Sequence, residues 1–93
     1  MDTVQLDGHS LEAVTLTTQK TKILVIRAGQ GILGCGYISL ETAAKVGDAL
    51  AVVSGVASYD DMLAAQVKAV SPAAEALGVR PGMTGREALK KML

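Results

Sequence analysis

The sequence is poor in aromatic residues and carries no excess charge of either sign, and both features exclude functions. Its 93 residues include two tyrosines and no phenylalanine or tryptophan. A platform for single-stranded nucleic acid needs aromatic side chains on which bases stack. Nine basic side chains balance nine acidic ones, so no net field attracts nucleic acid or anionic lipid. We therefore expect no nucleic-acid partner.

The sequence has no long apolar run and no second cysteine, and we expect no targeting segment. The opening stretch, "MDTVQLDGHS", has neither the basic nor the apolar part of a signal peptide. No apolar run approaches the ~20 residues that a membrane span needs. The single cysteine excludes a disulfide within the chain and fits a reducing compartment. We expect a cytoplasmic protein with no membrane partner.

What the sequence does have is a high content of small apolar side chains. Apolar residues make up 49% of the chain, and nearly all of them are Ala, Val, Leu or Ile. Such side chains bury little area each, at roughly 25 cal/mol per Å², so a chain this short has a thin core of its own. Burial of a further apolar face against a second copy would offset that weakness. We expect a homo-oligomer.

Strand signals dominate the first half of the chain. Apolar and polar residues alternate on either side of Asp7-Gly8, which predicts a β-hairpin. The stretch "TKILVIRA" is apolar on both faces, which is typical of a central strand. Further strands are predicted in "GILGCGYIS" (31–39) and "ALAVVSGV" (49–56), with an edge strand in "VKAVS" (67–71).

Helix signals follow in the second half. Ser39 predicts the N-cap of a helix over residues 40–46, with Gly47 as its left-handed stop. Further helix starts are predicted at Ser58, at Ser71 and at Thr84. This order of elements favours an α+β fold. We predict one compact domain over residues 1–93, with a mixed or antiparallel sheet of about five strands and three to four short helices.

The stretch Gly29-x-Gly31-x-x-Gly34 has the spacing of a dinucleotide-binding loop. Such a loop needs a helix to begin near Gly31, so that free N–H groups face a pyrophosphate. The following "ILGCGYI" contains further glycines, and each costs a helix interior about 1 kcal/mol relative to Ala. We therefore predict a tight turn between two strands, and not a nucleotide site.

Cys35 is the candidate catalytic residue. On the predicted strand, Gly34 and Gly36 flank it and leave a surface without side chains, which makes both glycines candidate ligand-binding residues. A nucleophilic thiol also needs a base or a positive charge that lowers its pKa, and the only histidine, His9, is predicted in the first hairpin turn. The alternative is a buried packing residue. One Cys and one His do not fill a tetrahedral metal site, so we expect neither a metal ion nor a cofactor.

The start of the last predicted helix is the second candidate ligand site. Thr84 and Glu87 form a capping box. Arg86 lies in the first turn, where a basic side chain opposes the helix dipole. Beside Gly82 and Gly85, this arrangement suggests a corner that binds a small anion through N–H groups and a guanidinium. The predicted ligand-binding residues here are Thr84, Gly85 and Arg86. The alternative is an ion pair between Arg86 and an aspartate.

Two segments, "GILGCGYISLE" and "AAEALGVRPGMTGREALKKML", together with the opening "LDGH", resemble the YunC-like family. This is a family of small bacterial and archaeal proteins known as a domain of unknown function. The resemblance covers nearly the whole chain, and the ending "GMTGREAL" is its most specific part. It implies a compact α+β domain and a cytosolic protein, and it implies no reaction.

Three functions remain open, and the sequence does not decide whether the protein is an enzyme. The first, which we favour, is a non-catalytic domain that acts by assembly or by binding a partner. The second is a thiol-dependent enzyme or redox protein that uses Cys35. The third is a binder of an anionic metabolite at the Gly82–Arg86 helix start.

Overall fold

The structure, a computed structural model that describes residues 1–93, is built around a six-stranded sheet. The strands lie side by side in chain order, namely β1 (Asp2–Leu6), β2 (His9–Thr17), β3 (Lys22–Arg27), β4 (Ile32–Gly34), β5 (Leu50–Val52) and β6 (Ala69–Val70). Neighbouring strands are antiparallel except β4 and β5, which run parallel. The predicted α+β fold with a mixed sheet is confirmed, with six strands rather than about five.

The helices are short, and each begins where the sequence predicts a cap. They are α1 (Leu40–Val46), α2 (Tyr59–Ala64), α3 (Pro72–Ala76) and α4 (Gly85–Lys91). A Ser or Thr hydroxyl before each helix accepts a backbone N–H of its first turn, which satisfies a donor that the helix itself cannot pair. The helix α1 has the predicted bounds and ends at Gly47, whose φ is 86°. None of the helices has the length and apolar character that crossing a membrane requires.

The Asp7-Gly8 hairpin is confirmed. Asp7 and Gly8 have φ angles of 48° and 84°, the left-handed pair that a two-residue hairpin turn requires. The turn also contacts the last helix, because the Asp7 carboxylate lies 2.9 Å from the Lys90 ammonium. This hydrogen bond lowers the pKa of Asp7. The first hairpin and α4 are therefore tied together at one end of the sheet.

The main core lies on one face of the sheet, beneath α2, α3 and α4. Leu24, Ile26 and Leu33 from the central strands are fully buried there, against Met62 of α2 and Leu89 of α4. The helix α1 connects the parallel strands β4 and β5, since a parallel pair needs a long crossover. It lies on the opposite face, where Val46 is close to Ile32.

The opposite face of the sheet is only partly covered. Successive strand residues point to opposite faces, so Val14 and Leu16 of β2 lie on the side away from the main core. They pair across the ladder with Val25 and Ile23 of β3. Val14 is 42% exposed and Leu16 is 61% exposed. We call these residues, Val14, Leu16, Ile23 and Val25, the open sheet face.

The glycine-rich loop is a hairpin, as predicted, because β3 and β4 pair antiparallel and the Ala28 N–H donates to the Gly31 carbonyl at 2.8 Å. A Cβ on Gly31 would overlap the Met92 sulfur and lie 2.9 Å from the Ala49 Cβ. The Gln30 N–H donates to the Met92 carbonyl at 2.7 Å. The loop therefore packs against Met92, the residue directly after α4.

The strand predicted over residues 31–39 is too long. It ends at Gly34, because the Cys35 carbonyl accepts the Ile38 N–H at 3.0 Å and the chain turns. A Cβ on Gly34 would lie 2.8 Å from Ile38 Cγ1. The surface at Gly34 that was predicted to be bare is thus covered by the chain itself, and the predicted strand alternation from Gly36 onward is wrong.

Candidate functional site at the ends of β4 and β5

A cavity of about 210 Å³ opens where the parallel strands β4 and β5 end. It is lined by Thr21, Lys22, Cys35, Gly36, Tyr37, Ser54, Gly55 and Val56. Residues 35–37 follow β4 and residues 54–56 follow β5, so the cavity lies at the carboxyl ends of the parallel pair. In open, mostly parallel α/β sheets, ligands bind outside the carboxyl ends of the strands, and the one parallel pair of this sheet has the same kind of edge. We call it the β4–β5 cavity.

Cys35 is 5% exposed, and its sulfur has a structural partner. The Cys35 N–H donates to the Leu24 carbonyl at 3.0 Å, as in a continuing ladder. The Cys35 carbonyl has turned toward Ile38, and the Leu24 N–H donates instead to Cys35 Sγ at 3.3 Å. The sulfur therefore takes the place of the missing ladder acceptor for a buried N–H group.

Lys22 is the charged residue of the cavity. Its ammonium donates to the Ala57 carbonyl at 3.5 Å, and no histidine or carboxylate is among the lining residues. His9 is the first residue of β2. Leu24, which is hydrogen-bonded to Cys35, pairs across the sheet with Thr15 of β2. Six residues of strand separate the two positions, roughly 20 Å at 3.3 Å per residue. The structure does not bring the thiol and the imidazole together, and thiol chemistry at Cys35 stays a prediction.

The start of α4 uses most of its donors within the protein. The Thr84 N–H donates to Glu87 Oε1 at 2.9 Å, and the Glu87 N–H donates to Thr84 Oγ1 at 3.2 Å. The bond from the Thr84 N–H lowers the pKa of Glu87. The Gly85 N–H donates to the Ala65 carbonyl at 2.9 Å. The capping box predicted from the sequence is present, and it leaves few N–H groups for a ligand.

Arg86 lies near an aspartate, the alternative that the sequence left open. Its Nη1 is 4.0 Å from Asp7 Oδ1. None of Thr84, Gly85 and Arg86 lines the β4–β5 cavity. The structure therefore separates the two predicted sites, and anion binding at the Gly82–Arg86 helix start stays a prediction.

Of the predicted site residues, Cys35 and Gly36 line the cavity, and Gly34 lies beneath Ile38. Sequence reasoning missed Lys22 and Ser54, which complete the cavity. The serine is the first polar residue after the apolar run at residues 49–53, a signal that points to a sheet edge. Its nearness to Cys35 depends on β4 and β5 being parallel neighbours.

The comparisons with known proteins give a family and no activity. The profile described as "Domain of unknown function (DUF1805)" matches residues 34–92. The uncharacterized protein YunC of Bacillus subtilis (strain 168) is 33% identical over 94 residues, which cover 97% of this chain and 93% of that protein. A crystal structure of a protein of unknown function, TA1206 from Thermoplasma acidophilum, superposes with a TM-score of 0.93 at 33% identity and covers 99% of this chain and 90% of that one.

These matches agree in extent with the resemblance found in the sequence, and the YunC-like relationship is confirmed. The chain belongs to the DUF1805 family of domains of unknown function.

Proposed function

We propose that this protein is a non-catalytic assembly domain in which two copies of the chain join through the open sheet face. The observation that carries the proposal is the exposure of Leu16, at 61%, and of Val14, at 42%, on a strand in the interior of the sheet. Contiguous apolar surface rimmed by polar residues marks interaction sites in soluble proteins.

The energy available from this face is substantial for so small a chain. Complete burial of a Leu or Val side chain contributes about 1.5–3 kcal/mol, so Leu16, at 61% exposed, would contribute about 1–2 kcal/mol per copy when covered. Because a symmetric contact uses the same residue twice, Leu16 alone accounts for about 2–4 kcal/mol of association. Val14, in the neighbouring cross-strand pair with Val25, adds to this association energy.

The charges around the open sheet face favour a second copy as the partner. Glu12 and Arg27 lie opposite each other at its end, with Arg27 Nη1 3.4 Å from Glu12 Oε1. The pair neutralises itself, and the chain has no net charge, so identical faces can meet without like charges opposing each other. Val46 of α1 is also exposed and lies on the same side of the sheet, near Ile32, which extends the apolar surface.

The test is the mass in solution at micromolar concentration, measured by light scattering after size-exclusion chromatography. We expect a dimer, with twice the 9.5 kDa of one chain. Leu16→Lys should raise the dissociation constant of the dimer by roughly 30- to 700-fold, since the association energy of about 2–4 kcal/mol is lost and 1.4 kcal/mol corresponds to tenfold. The matched control is Thr17→Lys, which adds the same charge on the next residue, facing the other side of the sheet. A monomeric wild type, or a dimer indifferent to Leu16→Lys, would contradict the proposal.

The second candidate is a thiol function of Cys35, and its place on the β4–β5 cavity is the observation in its favour. A functional thiol would react with a small electrophile in the native protein, and Cys35→Ser would abolish the activity. No histidine or carboxylate lines the cavity, and the Cys35 sulfur already accepts the Leu24 N–H at 3.3 Å, so the assembly function is the better supported of the two.

A further inference from the structure

We propose that the β4–β5 cavity binds a small oxyanion, the carboxylate or phosphate group of a metabolite. This inference goes beyond assembly and does not depend on it, because the cavity residues are not those of the open sheet face. It rests on unpaired backbone donors, on a glycine that the fold does not require, and on the charge of the lining.

Five of the eight residues that line this cavity have a backbone N–H group without an acceptor in the chain. They belong to Gly36, Tyr37, Ser54, Gly55 and Val56, on the loops after β4 and β5. Loops that present successive N–H groups form concave anion sites in many proteins. Both loops line the cavity, so both offer unpaired backbone donors to an oxyanion bound there.

Gly36 has no reason within the fold to be glycine. Its φ is not among the positive angles of the chain. A Cβ placed on it would meet nothing closer than the Ser54 Cβ, at 3.9 Å. By contrast, a Cβ on Gly34 or Gly85 would overlap or crowd neighbouring atoms. A glycine required neither by φ nor by packing fits a place where a ligand approaches the backbone closely.

The charge of the lining selects an anion. Lys22 contributes an ammonium, and no Asp or Glu lines the cavity. The Asp61 carboxylate is not among the lining residues and accepts the Ala57 N–H at 3.0 Å. Ser54 adds a hydroxyl that can donate.

The size of the cavity limits the ligand to a small group. A volume of about 210 Å³ lies below the ~300–1,000 Å³ of pockets that enclose drug-sized ligands. A larger cavity, of about 370 Å³, lies at the glycine loop. It has both Arg27 and Asp48 in its lining and sits at the amino ends of β4 and β5, so neither its charge nor its position favours an anion.

The experiment is a titration of the ¹⁵N-labelled protein with inorganic phosphate and, separately, with acetate, at constant ionic strength held with chloride. Backbone amide shifts in two-dimensional NMR spectra are the readout. We expect saturable shifts in the millimolar range at Gly36, Tyr37, Ser54, Gly55 and Val56. Saturation with phosphate alone identifies a phosphate group, saturation with acetate alone identifies a carboxylate, and both support the proposal.

Two variants and one control make the result specific. Lys22→Ala should weaken binding roughly tenfold or more, because an ammonium next to the anion is lost. Gly36→Ala should weaken it by placing a methyl group at the cavity, without unfolding the protein. Lys20→Ala, in the turn just before Lys22 but outside the cavity, should bind as the wild type does. Linear, non-saturating shifts with both anions, or equal losses in Lys20→Ala and Lys22→Ala, would overturn the proposal.

Discussion

Replacing Gly85 with alanine tests whether the contact between α2 and α4 governs the stability of this fold. Gly85 is the first residue of α4 and is buried. A Cβ at this position would overlap the Met62 carbonyl oxygen and lie 2.9 Å from Leu33 Cδ2. On an exposed helix the same change stabilises a protein by about 0.5–1 kcal/mol. At Gly85 the close packing makes the same change destabilising.

The magnitude follows from what has to move. The Met62 carbonyl is backbone and cannot turn aside as a side chain does, so α4 must shift away from α2. Overpacking of this kind costs about 1–3 kcal/mol. The shift also weakens the 2.9 Å hydrogen bond from the Gly85 N–H to the Ala65 carbonyl, which contributes about 1 kcal/mol. We expect a total loss of about 2–4 kcal/mol, out of the ~5–15 kcal/mol typical of a domain.

Urea and thermal unfolding, followed by circular dichroism at one fixed protein concentration, measure this loss. The expected fall in Tm is roughly 8–30 °C, at 4–8 °C per kcal/mol for a domain of this size. Gly36→Ala is the matched control, because the same methyl group meets no atom closer than 3.9 Å and should leave the stability unchanged or raised by up to about 1 kcal/mol. If Gly85→Ala is as stable as the wild type, the packing argument is wrong.

Three further predictions concern titration and the thiol. Burial and a 2.6 Å hydrogen bond to Asp2 raise the pKa of Tyr59 above 10.0. The stability that this shift contributes is complete below the pKa of the unfolded chain and is lost as the pH rises through the folded pKa. Urea unfolding across alkaline pH should show this loss of stability in the wild type and not in Tyr59→Phe. Lys90 lowers the pKa of Asp7, so stability should fall as the pH drops through the folded pKa, and Asp7→Asn, which keeps the turn, should remove that slope. Cys35 should resist alkylation until the protein is unfolded. Cys35→Ala should lower the free energy of unfolding in urea by about 1–3 kcal/mol, because the buried Leu24 N–H loses its acceptor. Rapid alkylation of the native protein, together with normal stability of the alanine variant, would support the thiol function instead.

The elements that sequence reasoning located well are those whose signals lie within a few residues. Asp7-Gly8 predicts its hairpin because the turn angles depend on those two residues alone. Ser39 and Gly47 predict the bounds of α1 because a cap and a left-handed stop act on the adjacent turn. The strand through residue 39 was overextended because its end depends on Ile38 folding back over Gly34.

The candidate site could be predicted only in part. Cys35 and Gly36 stand out in the sequence as a thiol beside a backbone without a side chain. Lys22 and Ser54 do not, because neither belongs to a motif and both reach the cavity through strand pairing. Arg86 could not be assigned from sequence to a ligand or to Asp7, since the pairing joins residues at opposite ends of the chain.

The sequence by itself determined the class of fold, the caps and turns, and the family, because these are written in local spacing and in composition. Only the tertiary structure decided why Gly31 and Gly85 must be glycines, which residues share a cavity, and that β2 and β3 leave an apolar face uncovered. The physical reason is that close packing and strand register depend on atoms distant in the chain.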